Sequence, residues 1–270
     1  APRWAYPVHN MALAQTQPGD YEDAIASYKR AMLLAPAYSY LAYNLGLTYQ
    51  KINRIDEARQ AYERARALSK TSAAPEIALA LLAANNGQTG VALGHYRAAL
   101  DLLRQYPDAM NLSIAQHNEA ALLARKKKTR EAAVALWRKN IADSGYLPSR
   151  IGLAGLLEEE SRKHSTGWQQ SAADAAAEYR AVLQAEPDSL SARLELARLL
   201  TRLRDETGAL RILDEGDRRS PDNPAIYESK GDVLLASGNA AGAREAWRRA
   251  LDLNRSPDAQ ARIGRKLRKL

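Results

Sequence analysis

The sequence predicts an all-α protein built from repeated helix–turn–helix units. Small and aromatic residues recur at one constant interval, apolar residues recur within each unit at intervals of three to four, and no segment alternates as a β-strand would. The chain has 270 residues, which is long for one compact core. Two domains or an array of stacked repeats are therefore the natural arrangements.

An alanine marks the second half of each predicted unit. Ala24, Ala58 and Ala92 follow one another at steps of 34 positions, and a tyrosine stands four positions after each of them. The same 34-residue spacing returns near the C-terminus at Ala175, Ala209 and Ala243. Between the two regular blocks, Ala133 marks a central unit that longer connections flank. The pattern therefore predicts seven units.

Each unit is predicted to contain two helices separated by a short break. In the second unit, apolar residues from Tyr40 to Tyr49 recur at the spacing of a helix face. Breaks that contain Asn or Gly, such as the one at Asn53, suit the end of a helix followed by a turn. Proline near the end of three units stops the second helix, because proline lacks the N–H that a helix interior needs. These prolines are Pro36, Pro187 and Pro221.

The 34-residue unit resembles the tetratricopeptide repeat. The second unit carries the resemblance on Leu45, Gly46 and Tyr49 of its first helix and on Ala58, Tyr62 and Ala65 of its second helix. Small residues at these positions let helices approach, and large ones fill the space between units. The resemblance covers about residues 5–257. It implies a right-handed superhelical solenoid in which the first helices line a concave groove.

We expect residues 1–270 to form a single solenoid. Its repeats are placed at 5–38, 39–72, 73–106, 114–147, 148–189, 190–223 and 224–257, followed by a capping helix at 258–270. The fifth repeat contains an insertion, because Ala175 lies farther from Gly155 than the family pattern allows. The segment 158–174 is either a longer helix pair or a protruding loop, and Glu158, Glu159 and Glu160 are interpreted as a solvated helix end.

The sequence offers no pattern of catalytic or metal-binding residues. The chain has no Cys, which excludes disulfides, thiolate metal sites and cysteine nucleophiles. Its four histidines, His9, His95, His117 and His164, do not pair at a metal-ligand spacing. The sequence also has no phosphate-binding loop and no nucleophile elbow. We therefore expect no enzyme activity, no cofactor and no metal. No apolar run approaches the ~18 residues of a transmembrane helix.

A mild excess of positive charge leaves the nature of an anionic partner open. The chain has 39 basic and 31 acidic residues, and its net charge is +8. The basic run from Arg125 to Arg130 falls on the turn of the fourth repeat. A run of this kind is either a solvated turn or a contact for an anionic partner. Because no aromatic residue interrupts it for base stacking, nucleic acid is the less favoured partner.

The family resemblance implies that exposed positions on the first helices contact a partner. These positions are aromatic and aliphatic in the N-terminal repeats and charged in the C-terminal ones. Tyr40 and Tyr43 have an alternative role, which is packing on the neighbouring first helix. The candidate groove residues are Tyr40, Tyr43, Leu47, Gln50, Ile77, Leu81, Asn118, Arg125, Arg198, Glu228 and Asp232.

One known binding mode of the resembled family is disfavoured. A subgroup grips the C-terminal carboxylate of chaperones with Lys, Asn and Arg side chains. Here Asn44 is present, but His9 and Leu13 stand at the first Lys and Asn positions, and Ala74 and Ala78 stand where basic residues are needed. We therefore do not expect a chaperone tail as the partner.

The first hypothesis for function is a protein-interaction scaffold that binds a peptide or a helical segment in the groove. An accessory domain of a larger enzyme or secreted assembly is the alternative, because the sequence begins without Met. A helical repeat that binds RNA is the third hypothesis. The compartment, whether cytoplasmic or periplasmic and secreted after removal of a signal, and the oligomeric state are left open.

Tyr62 tests the repeat register. Its replacement by alanine should lower the free energy of unfolding by about 3–5 kcal/mol, because its ring fills the space between units.

The variant Tyr43→Ala/Leu47→Ala changes two predicted groove residues, so it should weaken partner binding and keep its helicity. Denaturation followed by circular dichroism measures the stability and helicity of both variants. A negligible change in the Tyr62→Ala transition would contradict the register.

Overall fold

The computed structural model describes residues 5–16, 19–163 and 166–269, and these residues contain helices and turns but no strand. The all-α prediction is thereby confirmed. The chain divides into two compact units, of which the first ends at Ser144 and the second begins at Gly145. The predicted bounds of the single solenoid and of its repeats stay a prediction.

The described part of the first unit is a series of helix pairs. Each odd-numbered helix packs on the even-numbered helix that follows it, and each pair packs on the next pair. A short 3₁₀ turn at Lys127–Thr129 joins the last two helices. The helices are α1 (Ala5–Thr16), α2 (Tyr21–Leu34), α3 (Ser39–Lys51), α4 (Ile55–Leu68), α5 (Ala74–Asn85), α6 (Thr89–Gln105), α7 (Ala109–Ala124) and α8 (Arg130–Ser144).

The described part of the second unit continues the same pattern and ends with a single helix. Three pairs pack in succession, and the last helix packs on the one before it. The helices are α9 (Leu147–Ser161), α10 (Trp168–Ala185), α11 (Leu190–Arg202), α12 (Glu206–Arg219), α13 (Pro224–Ala236), α14 (Ala240–Leu253) and α15 (Pro257–Leu267).

The inserted residues of the fifth repeat lengthen its second helix. Helix α9 ends at Ser161 and α10, with 18 residues, begins at Trp168, so the described residues fit a longer helix pair. His164 lies outside the described residues.

In two helix pairs, a glycine of the first helix lies in close contact with an aromatic ring of the second. A Cβ atom at Gly46 of α3 would lie 2.5 Å from Cε1 of Tyr62 on α4, and one at Gly231 of α13 would overlap the ring of Trp247 on α14. Tyr62 is fully buried and Trp247 nearly so. The alanines that define the 34-residue spacing are also fully buried. The helices can approach this closely only because these positions carry small side chains.

The turn inside a repeat requires a left-handed backbone at a fixed place. The backbone φ angle is +97° at Gly19, +60° at Asn53 and +73° at Gly87 in the first unit, and +83° at Gly238 in the second. Glycine and asparagine tolerate this region better than other residues do. Arg204 adopts φ +63° at the equivalent place, one repeat before Gly238. This arginine therefore carries a backbone strain that the glycines avoid.

Helix α15 is bound to α13 by ion pairs between residues that are 34 positions apart. Arg262 donates from Nε and Nη2 to Glu228 at 2.9 and 2.7 Å. Lys266 donates to both carboxylate oxygens of Asp232 at 2.6 and 2.7 Å, and Ile263 is fully buried below them. The hydrogen bond from Arg262, with help from Lys266, lowers the pKa of Glu228 to about 2. Helix α15 thus occupies the place that the first helix of another repeat would take.

Substitution of Gly46 and of Gly155 by alanine should have opposite effects on the free energy of unfolding. Gly46→Ala should lower the free energy of unfolding by about 1–3 kcal/mol, because the new methyl group displaces the Tyr62 ring. Gly155→Ala is the control, since Gly155 is exposed in α9 and a Cβ there meets nothing within 4 Å. It should raise stability by about 0.5–1 kcal/mol through helix propensity. Urea titrations measure both, and equal effects would contradict the close approach.

The Glu228 pairs should make the second unit sensitive to acid. A folded-state pKa near 2, below the ordinary 4.5, means that the carboxylate stabilises the fold fully above pH 4.5 and loses this effect as the pH falls towards 2. The melting temperature of Glu228→Gln should therefore lie below that of the wild type at pH 6, and the difference should shrink by pH 3. Glu245→Gln, an exposed carboxylate on α14, is the control. A difference that stays constant with pH would contradict this role.

Candidate functional site in the second unit

An open cavity of about 500 Å³ lies between α11 and α13 of the second unit. Its lining combines aliphatic, hydroxyl and charged groups, three of which are arginines. A mixed lining of this kind suits a ligand that is partly apolar and partly ionic. The lining residues are Leu194, Glu195, Arg198, Thr201, Arg202, Arg204, Ser229, Asp232, Val233 and Ala236.

The repeat geometry brings two predicted groove residues to this cavity. Helices α11 and α13 are the first helices of consecutive repeats, and they pack on each other. Arg198 and Asp232 are separated by one repeat, so they hold the same position on the two helices. Both line the cavity. Asp232 faces Lys266 of α15, whereas Arg198 turns towards α9.

The carboxylate of Glu158 on α9 organises the arginines beside the cavity. Glu158 is only 2 % exposed, and its Oε1 lies 2.7 Å from Nη2 of Arg162 and 3.2 Å from Nη2 of Arg198. The hydroxyl of Tyr179 donates to Oε2 at 3.4 Å. A buried carboxylate needs such partners, because its transfer from water is costly. The interpretation of Glu158 as part of a solvated helix end is therefore wrong.

Arg202 extends the same cluster towards the cavity. Its Nη2 donates to Oγ of Ser161 at 2.8 Å and lies 4.0 Å from Oε1 of Glu158. Burial, with a further contribution from the charges of Arg162 and Arg198, lowers the pKa of Arg202. The cluster therefore concentrates positive charge at one side of the cavity.

The predicted aromatic groove residues of the first unit have partners within the fold. Tyr40 is partly buried, and its ring stands edge-on to that of His9 at a centroid distance of 5.0 Å. The ring of Tyr43 lies 5.7 Å from that of Tyr62, and burial raises the pKa of Tyr43. Gln50 accepts a hydrogen bond from the Tyr62 hydroxyl at 2.8 Å.

The remaining predicted residues differ in exposure. Ile77 is buried and Leu81 partly buried, whereas Leu47 is 38 % exposed. Asn118 donates from Nδ2 to the carbonyl oxygen of Ile114 at 2.9 Å. Arg125 is exposed in the basic turn. Glu228 is held by Arg262 and Lys266 of α15, as described above. These positions stay predictions as partner contacts.

Sequence reasoning missed Arg202, Arg204 and Ser229 of the cavity. A signal for Arg204 was present, because it stands one repeat before Gly238, at a place where four other repeats have Gly or Asn. Arg202 had no comparable signal, since its partners lie on α9.

Neither a cluster of metal ligands nor a membrane-spanning helix occurs among the residues that the structure describes. Across residues 5–16, 19–163 and 166–269, no three His, Cys, Asp or Glu side chains are arranged to hold a metal ion. None of the helices in these ranges has the length and apolar character needed to cross a membrane.

Comparisons with known proteins agree with the geometry of the repeats. A family model described as tetratricopeptide repeat matches residues 15–84 and 169–233, which is half of the chain. A second model with the same description matches residues 229–265. No curated protein matches the chain.

Several solved structures share the fold. A tetratricopeptide repeat protein from Parabacteroides merdae is 18% identical, with a TM-score of 0.61 over 98% of this chain and 97% of that one. PilF of Pseudomonas aeruginosa is 17% identical, with a TM-score of 0.62 over 85% and 97%. PilW, described as a widely conserved type IV pilus biogenesis factor, is 18% identical, with a TM-score of 0.54 over 97% and 100%. The repeat geometry and the family matches together mean that the chain belongs to the tetratricopeptide repeat family, whose repeats are scaffolds for protein interaction.

Proposed function

We propose that this protein binds a peptide or helical segment of another protein along its first helices, and that the cavity between α11 and α13 is the principal contact. The observation that carries the proposal is this cavity of about 500 Å³. It lies on two consecutive first helices and combines an apolar wall with hydrogen-bonding groups. Such a lining can hold one or two side chains of an incoming segment and fix their orientation.

Internal contacts of the predicted groove residues in the first unit favour the cavity, rather than the aromatic end of the groove, as the principal contact. Tyr43 and Gln50 already contact Tyr62, and Ile77 is buried. A partner that used these side chains would first have to displace internal contacts. In the second unit, by contrast, the space between α11 and α13 is open to an incoming side chain.

The lining gives a scaffold role further support over a catalytic one. The ten side chains around this cavity include no histidine, and the hydroxyl of Thr201 donates to the carbonyl oxygen of Ala197 at 2.8 Å. A hydroxyl nucleophile needs a neighbouring base to accept its proton. The arrangement therefore suits binding.

A substitution that fills the cavity tests the proposal. A library of random twelve-residue peptides would be panned on the wild type, and the enriched clones would then be assayed on Thr201→Trp. We expect these clones to lose binding, because the indole occupies the space between α11 and α13. Thr207→Trp is the matched control, since Thr207 lies on α12, outside the cavity lining.

Melting curves must show that both tryptophan variants are folded. If no clone is enriched, or if every enriched clone binds Thr201→Trp as well as it binds the wild type, the cavity is not the principal contact.

A further inference from the structure

We propose that the cavity between α11 and α13 selects a carboxylate that stands next to an aliphatic side chain, with Arg198, Arg202 and Arg204 as its donors. This inference rests on the proposed function and names the chemistry of the segment that the cavity binds.

The charges around the cavity do not balance. The cavity lining and the adjoining Glu158 cluster contain four arginines, whose charges are met by Glu158 and Glu195, and the remaining acidic group of the lining, Asp232, is already paired with Lys266. Four positive and two negative charges leave an excess of two positive charges beside an open space. A ligand with one carboxylate would neutralise half of this excess while Glu195 stays paired with Arg198. The four arginines are Arg162, Arg198, Arg202 and Arg204.

Two of these arginines have N–H donors that make no hydrogen bond within the described residues. Within the described residues, every hydrogen bond of the Arg198 guanidinium, to Glu158 and to Glu195, uses Nη2. The one from Arg202, to Ser161, uses Nη2 as well. The Nε and Nη1 donors of both side chains are left for a ligand, and a guanidinium can hold a carboxylate through two parallel bonds.

The backbone conformation of Arg204 gives an independent indication of a binding site at the cavity. It has a φ of +63° at the place where other repeats carry Gly or Asn, a conformation that costs a residue with a side chain about 1 kcal/mol or more. No acidic side chain of the described residues lies within ion-pair distance of it, and the carboxylate of its neighbour Asp205 accepts from the N–H of Gly208 at 2.9 Å instead. The Arg204 side chain thus has no ion pair within the described residues that would offset the strain, and residues under such strain concentrate at binding sites.

The opposite wall of the cavity is apolar. Leu194, Val233 and Ala236 line it, and Ser229 adds a hydroxyl that makes no hydrogen bond to any described residue. An aliphatic side chain that packs on this wall would place a neighbouring carboxylate near the guanidinium groups. The expected ligand is thus Asp or Glu, or a chain terminus, next to Leu, Ile or Val.

The peptide panning described above also tests this inference. Clones that depend on the open cavity should be enriched in Asp or Glu beside Leu, Ile or Val. Because the displayed peptides are fused at their C-termini, such carboxylates belong to side chains. A second library that displays free C-termini gives the other arm, and enrichment confined to it assigns the terminal carboxylate.

Affinity measurements on a selected peptide then identify the donors. Fluorescence anisotropy should show that Arg204→Asn weakens binding about tenfold, which is the loss expected for one charge-assisted hydrogen bond. The melting temperature of this variant should equal or exceed that of the wild type, because asparagine tolerates the left-handed turn, as Asn53 does. Arg211→Gln, which removes an exposed arginine on α12, should leave the affinity unchanged.

Three results would overturn the inference. Cavity-dependent clones with no enrichment in carboxylates would reject it and leave the proposed function intact. Equal losses of affinity in Arg204→Asn and Arg211→Gln would show that only overall charge matters. A lower melting temperature of Arg204→Asn with unchanged affinity would mean that Arg204 is structural. If no clone depends on the cavity, the proposed function itself fails.

Discussion

The approach of a glycine to an aromatic ring is the contact on which two of the described helix pairs, α3–α4 and α13–α14, depend. Gly46 beneath Tyr62 and Gly231 beneath Trp247 leave no room for a methyl group, so the distance between the two helices is set by the absence of a side chain. Once this distance is fixed, the next pair must stack in the same way, because its own small and large residues recur 34 positions later. The cavity between α11 and α13 is a product of this stacking, since both helices hold the same place in their repeats.

A buried carboxylate determines the electrostatics of the candidate site. Transfer of the Glu158 carboxylate from water into the protein would be costly without cations close by, and Arg162 and Arg198 supply them. The hydrogen bonds of both guanidinium groups to carboxylates use Nη2. Glu158 and Arg198 thus lie on helices α9 and α11, whereas Arg204 lies in the turn that follows α11.

The helical fold could be predicted because its determinants are local and periodic. Small and large residues at a fixed spacing indicate how the helices pack, among them Gly46, Ala58 and Tyr62. The family resemblance rests on the same residues. Only part of the candidate site could be predicted from the sequence in this way. Arg198 and Asp232 were predicted from their repeat positions, and both line the cavity. The role of Glu158 was hidden because it meets Arg198 over 40 positions and not over one repeat, as the longer α10 shifts the register. No periodic argument could have paired them.

The closing helix has a consequence for how such a protein can change in length. Arg262 and Lys266 of α15 meet Glu228 and Asp232 of the repeat before it at an interval of one unit. A tandem duplication of residues 224–257 would therefore place a copy of both carboxylates opposite the same two cations. Helix α15 would be held as before, with no compensating mutation. A gene that encodes this chain could thus gain a whole repeat in a single recombination event and still yield a protein in which the same ion pairs hold α15.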